Sequence, residues 1–495
     1  MLKVEDSNLR IFIDYIVIGL LVIALVFPAG CASKPKALPK TPLAADVVEP
    51  LLKETRKSYA ELFEDAPKLR YSSSDVLKMK DYLKKSKEYC VNSYQTRGRQ
   101  YDQELRQTSG ELFRVSGRLA EQERHEQHCR IQNLRILKAR ADILAKQAIP
   151  VAYENREAKL ELLQRWPAEN RQIQQTLASG TFRSRRWANV DDIGYRVIAE
   201  DQEDDIRTGA QAITELRRQG LMPPEVQNTE VDNYVQQLAD KLAQHSDLQV
   251  PVRVTVLNST EINAFALPGG FLFIQRGLIE AAENEAELVG VVSHEIAHAA
   301  ARHGHKLVRK ANIANIFLQA LQIAGALVGG EALYYALRYG AMGLGLALNL
   351  NLLGKSRAFE LEADQLGIQY AWHAGYDPRG FSQFFDKMAT RKGYVTGASW
   401  FRTHPPFYER MVNARKETAY LSQKQEPLVQ SDEFKRIQGI LKDLPVPREQ
   451  MPYNRRQAGM NVPIRTEGCP PPEEAKSSEV QYLEEVCRLG QSKED

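Results

Sequence analysis

Residues 45–187 contain only four glycines and are dense in Lys, Arg, Glu, Gln and Leu. That composition favours long solvated helices and offers little that could turn a strand or a tight loop. The stretch is therefore expected to be helical and elongated. The SSSD run ending at Asp75 reads as a helix start, and Thr108, Ser109 and Gly110 interrupt the pattern midway to Pro150. An antiparallel hairpin turning at Ser109 and Gly110 is predicted. Cys90 and Cys129 lie almost equally far from that turn, which would set them face to face.

What precedes this region differs in character. Lys3 and Arg10 lead into an apolar run, residues 11–27, broken only by Asp14 and followed by Pro28, Ala29, Gly30 and Cys31. This reads as an export segment. Small residues directly before a cysteine resemble a bacterial lipoprotein signal, which makes Cys31 the expected lipidation site and mature N-terminus; the other reading is an uncleaved single-span anchor. Either one puts the remaining chain outside the cytoplasm, in a bacterial envelope on the periplasmic side, tethered to the outer or inner membrane. Residues 31–45, rich in Lys, Pro and Ala, read as the tether.

Four cysteines remain: Cys90, Cys129, Cys469 and Cys487. In an oxidising compartment an even number invites disulfides. Proximity in sequence favours Cys90 with Cys129 and Cys469 with Cys487, against two other pairings or four free thiols. The balance of 66 basic against 63 acidic residues gives a net charge of +3 and no electrostatic case for nucleic acid.

From about residue 191 the texture changes. Amphipathic helices are expected over 203–218 and 231–243, and Val252, Val254 and Val256 alternate with polar residues as in a half-buried strand. A second strand is expected at 271–274. The fold class is α+β, mostly helical, with a small sheet. The expected divisions are 1–30 as signal or anchor, 31–45 as tether, 46–190 as the helical region, 191–425 as a globular domain, and 426–495 as a proline-rich tail with a short helix near 480–488.

The chemistry concentrates in VVSHEIAHAAARHG. In HExxH on a helix, His294 and His298 are four residues apart and project from one face, where both imidazoles can hold one metal. Zinc suits two histidines, one further ligand and a water, whose pKa it lowers from about 15.7 to about 7. Glu295 can then take the proton. The motif sits on an Ala-rich apolar helix, where polar groups need a reason. For a third ligand, His303 and His305 are each one residue out of register with HExxHxxGxxH, and read as surface polar residues at a helix end. Downstream, in SRAFELEADQLG, Glu360 and Asp364 share a helical face, so Glu360 can bind the metal and Asp364 can hydrogen-bond a ligand histidine. Glu362 is expected to point elsewhere, on a solvated face.

HEIAH, then FELEAD, then THPPFYER together resemble metallopeptidase family 48, the gluzincins that include HtpX and the CAAX prenyl proteases. The resemblance covers roughly residues 203–419 and implies a zincin-like domain binding one Zn2+ per chain, with Glu360 as third ligand and Asp364 as its supporting acid. It also implies that His404 stabilises the oxyanion of the reaction and that Arg410 orders the loop beneath. Residues 263–278 resemble the strand pair over the zinc helix, with Asn263, Ala264 and Phe265, along with Arg410, on the substrate side. An exposed strand edge there would bind extended, unfolded polypeptide.

The apolar, glycine-rich residues 313–353 are divided by Glu331, Arg338, Asn349 and Asn351. Core helices with a mobile loop near the site are expected in preference to a membrane span. The resulting expectation is a membrane-tethered zinc metalloendopeptidase that hydrolyses unfolded or misassembled envelope proteins. Its rivals are an assembly factor or chaperone with a largely silent zinc site, and an integral membrane protease.

Overall fold

The computed structural model describes residues 45–180 (except 70, 116 and 118), 202–218, 222–308, 353–390 and 404–445 (except 423). The segments expected as export signal, tether and apolar loop lie outside these residues, as do Cys31, Cys469, Cys487 and the helix near 480–488. Among the described residues no helix is long and apolar enough to cross a membrane.

Two short helices, α1 (Ala45–Arg56) and α2 (Tyr59–Asp65), precede a 43-residue helix, α3 (Ser73–Val115). The return limb is α4 (Glu121–Ile143), a π-helical turn at Leu144–Ala148, and α5 (Ile149–Ser179). The long hairpin expected from composition is present, but its turn falls between Val115 and Glu121. Ser109 and Gly110 sit inside α3, because a lone glycine costs a long helix only about 1 kcal/mol. The true turn is fixed by Glu123, whose carboxylate accepts the Ala120 N–H at 3.2 Å and caps α4. Pro150 does not end the return limb either. It has no N–H to give the ladder, and the wider π turn just before it relieves the clash.

The moved turn changes the cysteines. Lys138 pairs with Asp102 across the hairpin at 2.5 Å, so Cys90 lies opposite residue 150 and Cys129 opposite residue 111. In agreement, Cys90 Sγ is 3.7 Å from the Tyr153 hydroxyl. At about 1.5 Å per residue the two cysteines are roughly 30 Å apart, against the ~7 Å limit between the Cα atoms of a bridged pair. Each is disulfide-bonded, but the expected Cys90–Cys129 pairing is not the bond they make.

The second half begins with α6 (Gln202–Arg218) and α7 (Thr229–Gln244), followed by β1 (Arg253–Leu257), β2 (Ala264–Leu267) and β3 (Phe271–Gln275). The strands form one sheet of order β1-β3-β2, with β1 parallel and β2 antiparallel to β3. Period-2 alternation divides its faces. Ala264, Leu272 and Ile274 join the main core, whereas Phe265, Leu267 and Phe273 pack with Leu216 of α6 in a separate cluster.

Helices α8 (Arg276–Ala281), α9 (Glu285–Ala300), α10 (His303–Val308), α11 (Leu353–His373), α12 (Gly380–Thr390), α13 (Tyr408–Tyr420) and α14 (Asp432–Asp443) complete the description. The last was expected to be irregular tail. Instead Ser431 caps it and Phe434, Ile437 and Leu441 bury it against α7 and α8.

The hairpin's base is joined to this half by polar contacts inside a shared core. Asp386 of α12 accepts the Tyr59 and Ala60 N–H groups at 2.7 and 3.1 Å, neutralising the α2 N-terminus. Asn155 accepts from the Tyr59 hydroxyl at 2.8 Å and donates to the Ala389 carbonyl at 3.1 Å. Lys159, buried beneath, donates to the Lys57 carbonyl at 2.6 Å.

Two outcomes test this arrangement. Gly110→Ala should raise stability by about 0.5–1 kcal/mol in urea denaturation, since nothing lies within 4 Å of the added methyl and the position is helical; a loss would restore a turn there. Burial lowers the Lys159 ammonium to about 7 from 10.5. Between those values the unfolded chain binds a proton that the folded one does not, so the burial penalty is full below about pH 7 and gone above about 10.5. Wild type should therefore gain on Lys159→Met as pH rises from 6 to 10 in paired denaturation curves, and a pH-independent difference would refute the shift.

Candidate metal centre

Helix α9 carries the HExxH residues because Asn284 caps it, its Oδ1 accepting the Glu287 N–H at 3.0 Å, and because its apolar faces are buried on all sides. It crosses α11 at very short range: a Cβ on Gly367 would lie 2.9 Å from the His294 Cα and N. This contact brings Glu360 and Asp364 of α11 to the two histidines.

The ligand-type atoms of His294, His298, Glu360 and His404 all lie within 4.8 Å of one another. His294 Nε2 is 3.0 Å from His298 Nε2, and the Glu360 oxygens are 3.5 Å from each of these nitrogens. Tetrahedral zinc with Zn–N near 2.0–2.1 Å separates its donors by about 3.3 Å. Three donors of the right chemistry thus surround one point at the right spacing, so these residues fit the ion. Glu295, 2 % exposed, stands beside this set, its Oε1 3.2 Å from His404 Nε2.

Behind the donors is a buried charge cluster. Asp364 Oδ1 is 2.9 Å from His294 Nδ1, so the carboxylate takes that ring proton and leaves Nε2 for a metal. Arg410 grips both Asp364 oxygens at 2.7 and 2.6 Å and reaches Glu360 at 3.1 Å. Burial alone would raise the Glu360 carboxyl, but His404 and Arg410 outweigh it and hold the group well below the usual range. Burial keeps His298 far below its ordinary value, hence neutral and able to donate a lone pair. The His294 ring is also stacked on Phe381, 5.2 Å away and 13° from parallel.

Several expectations change here. His404 was placed beside the site as an oxyanion partner, yet its Nδ1 is 2.9 Å from Glu360 and 3.1 Å from His294 Nε2, inside the donor set. Its Nε2 faces Glu295 at 3.2 Å. Burial would depress this imidazole, but the carboxylates Glu360 and Glu295 raise it to about 9. Arg410 is 1 % exposed and committed to Asp364, so it cannot meet a substrate. Phe265 stacks on Phe273 at 5.0 Å on the sheet face turned toward α6, not toward α9.

Ala264 keeps its place over α9, in the edge strand. The Gln275 N–H donates to the Asn263 carbonyl, so by antiparallel alternation the backbone of Ala264 and Ala266 faces the open edge. Asn263 itself is buried, its Oδ1 accepting the Ala264 N–H at 2.9 Å.

The sequence reading missed His303 and Glu362. His303 is 2 % exposed, not a surface residue: its Nδ1 meets His298 Nδ1 at 2.8 Å and its Nε2 meets Glu362 at 3.1 Å. Their spacing matches no ligand pattern, and the local signal that would have found them is a helix break at Arg302, whose φ of 54° no glycine announces.

Removing Arg410 strands two buried carboxylates. Arg410→Met should cost the metal-free protein about 3–5 kcal/mol in thermal or urea unfolding; a loss under 1 kcal/mol would mean that the cluster is not held by this charge.

Residues 225–418 match the family model Peptidase family M48. The Beta-barrel assembly-enhancing protease of Yersinia pestis is 26 % identical over 222 residues, covering 44 % of this chain and 45 % of the relative. The protein of that name from Escherichia coli (strain K12) is 26 % identical over 42 % of this chain and 43 % of its own. The Mitochondrial metalloendopeptidase OMA1 of Arabidopsis thaliana is 33 % identical over 31 % of this chain and 28 % of the relative. The chain thus spans less than half the length of these curated relatives. HExxH on α9 and its acidic counterpart on α11 both fall inside the segment, residues 225–418, that matches Peptidase family M48.

Proposed function

We propose that the protein is a zinc-dependent endopeptidase acting on unfolded or misassembled proteins of the bacterial envelope, tethered to a membrane through its N-terminal segment. The observation that carries this reading is the convergence of His294, His298 and Glu360 on one point, with the buried Glu295 carboxylate beside it. The similarity to beta-barrel assembly-enhancing proteases supports the envelope setting.

His294, His298 and Glu360 would hold the zinc, which supplies a Lewis acid that polarises a carbonyl and acidifies a water. Glu295 takes the proton of the attacking water and returns it to the leaving amine. Asp364 fixes the His294 tautomer, and Arg410 holds Asp364 in place and helps keep Glu360 charged. An extended substrate would lie along the outer edge of β2, hydrogen-bonded to the half-buried Ala266 backbone with little demand on its side chains. No covalent enzyme intermediate is required.

His404 favours a second reading. With its Nδ1 in the donor set, four protein groups are present where a catalytic zinc site keeps one position open. Cleavage then requires His404 to move aside, and a chain in which it never does would be an assembly factor with a silent zinc site.

Glu295→Gln should bind one zinc per chain as wild type does, yet lose at least about 100-fold in the rate of casein cleavage. Should wild type and His404→Ala both leave casein intact while holding zinc, the silent-site reading replaces the peptidase.

A further inference from the structure

We propose that His303 and Glu362 are positioning residues that set the metal-binding tautomer of His298 through a directed chain of hydrogen bonds, an inference that rests on the zinc reading above. The two Nδ1 atoms of His298 and His303 are 2.8 Å apart, so one proton lies between them. His298 Nε2 faces the other donors, 3.0 Å from His294 Nε2 and 3.5 Å from Glu360. To ligate there it must carry its proton on Nδ1 and donate it to His303. His303 Nδ1 is then the acceptor, and its own proton sits on Nε2, facing Glu362 Oε2 at 3.1 Å. A carboxylate only accepts, so the chain runs in one sense: His298 to His303 to Glu362.

The surroundings are built to hold His303 in this role. Its ring is stacked on Phe359, 4.3 Å away and 16° from parallel. The backbone that returns it to the zinc helix passes through Arg302, whose left-handed φ of 54° is a strained conformation for an arginine. That turn is clamped: Arg302 is bidentate to Asp205 of α6 at 2.6 and 2.8 Å, and His305 holds the same carboxylate at 2.7 Å. Strain held by a buried ion pair is expected where the geometry serves a purpose. The two ligand histidines are thus oriented by different means: His294 meets Asp364 directly, while His298 reaches its carboxylate through a second imidazole. Helix α11 provides one ligand and both terminal acceptors, Glu360, Glu362 and Asp364.

Zinc affinity measured by competition with a chromogenic chelator, alongside melting of the metal-free proteins, separates positioning from scaffolding. Glu362→Ala and His303→Phe should weaken zinc about 10–100-fold. Glu362→Gln, which still accepts from His303 Nε2, should stay within about threefold of wild type by the same reasoning. Affinity unchanged in Glu362→Ala overturns the proposal, whatever its melting temperature. If His303→Phe does not fold, long-range 1H–15N spectra of zinc-loaded wild type decide the same point: His298 protonated on Nδ1 and His303 on Nε2 support the chain, and the opposite His303 tautomer ends it. His298→Ala distinguishes the two levels. Lost zinc there with unaltered zinc in Glu362→Ala removes this inference alone, whereas wild type that takes up no zinc removes the site reading as well.

Discussion

The contact on which the site depends is the crossing of α9 and α11. Only a hydrogen at position 367 lets the backbones approach as they do, with a Cβ there 2.9 Å from the His294 Cα and N. At Gly290 the same helix meets the backbone of Phe381. These two close approaches fix the height of Glu360 over the histidines, and the charge cluster is arranged around that height. Arg410 then becomes necessary, because two carboxylates brought so near each other in a buried place need a cation to remain ionised.

Much of the centre was legible in the sequence because helical periodicity is a local rule. His294 with His298 and Glu360 with Asp364 are each four apart, so each pair could be assigned to one face without knowing the fold. The half-buried alternation of β1 was legible in the same way, whereas β3 was legible only as a strand. What was not legible came from long-range geometry. Whether Phe265 faces the zinc helix or α6 depends on which side of the sheet each helix covers, and strand alternation alone cannot say. His303 was misread because its link to His298 runs through a left-handed arginine, a conformation that residue type does not signal. The hairpin turn was misplaced for the opposite reason: Ser109 and Gly110 look like a turn, but a helix with a packed partner overrides weak local preferences.

The helical region and the catalytic half are not separate bodies of chemistry. Arg165 of α5 lies 4.3 Å over the Tyr408 ring and pairs with Glu409 at 3.2 Å, both at the start of α13. Arg410 directly follows Glu409 on that helix, and His404 lies four residues before its first residue. Arg410, which grips Asp364 and Glu360, therefore sits on an element that the hairpin base also contacts. The capped α2 and the Asn155 bridge to Ala389 fasten the same base to α12, which carries Phe381 behind His294.

That shared wall decides what a shortened protein would be. A chain begun near residue 202 would retain every candidate ligand, yet it would expose the surface of α12 and α13 that Tyr59, Asn155 and Arg165 now touch, with Asp386 left without the helix end it neutralises. The boundary that composition suggests near residue 190 divides two textures of sequence, not two independent folding units: the hairpin serves the metal site as part of its masonry.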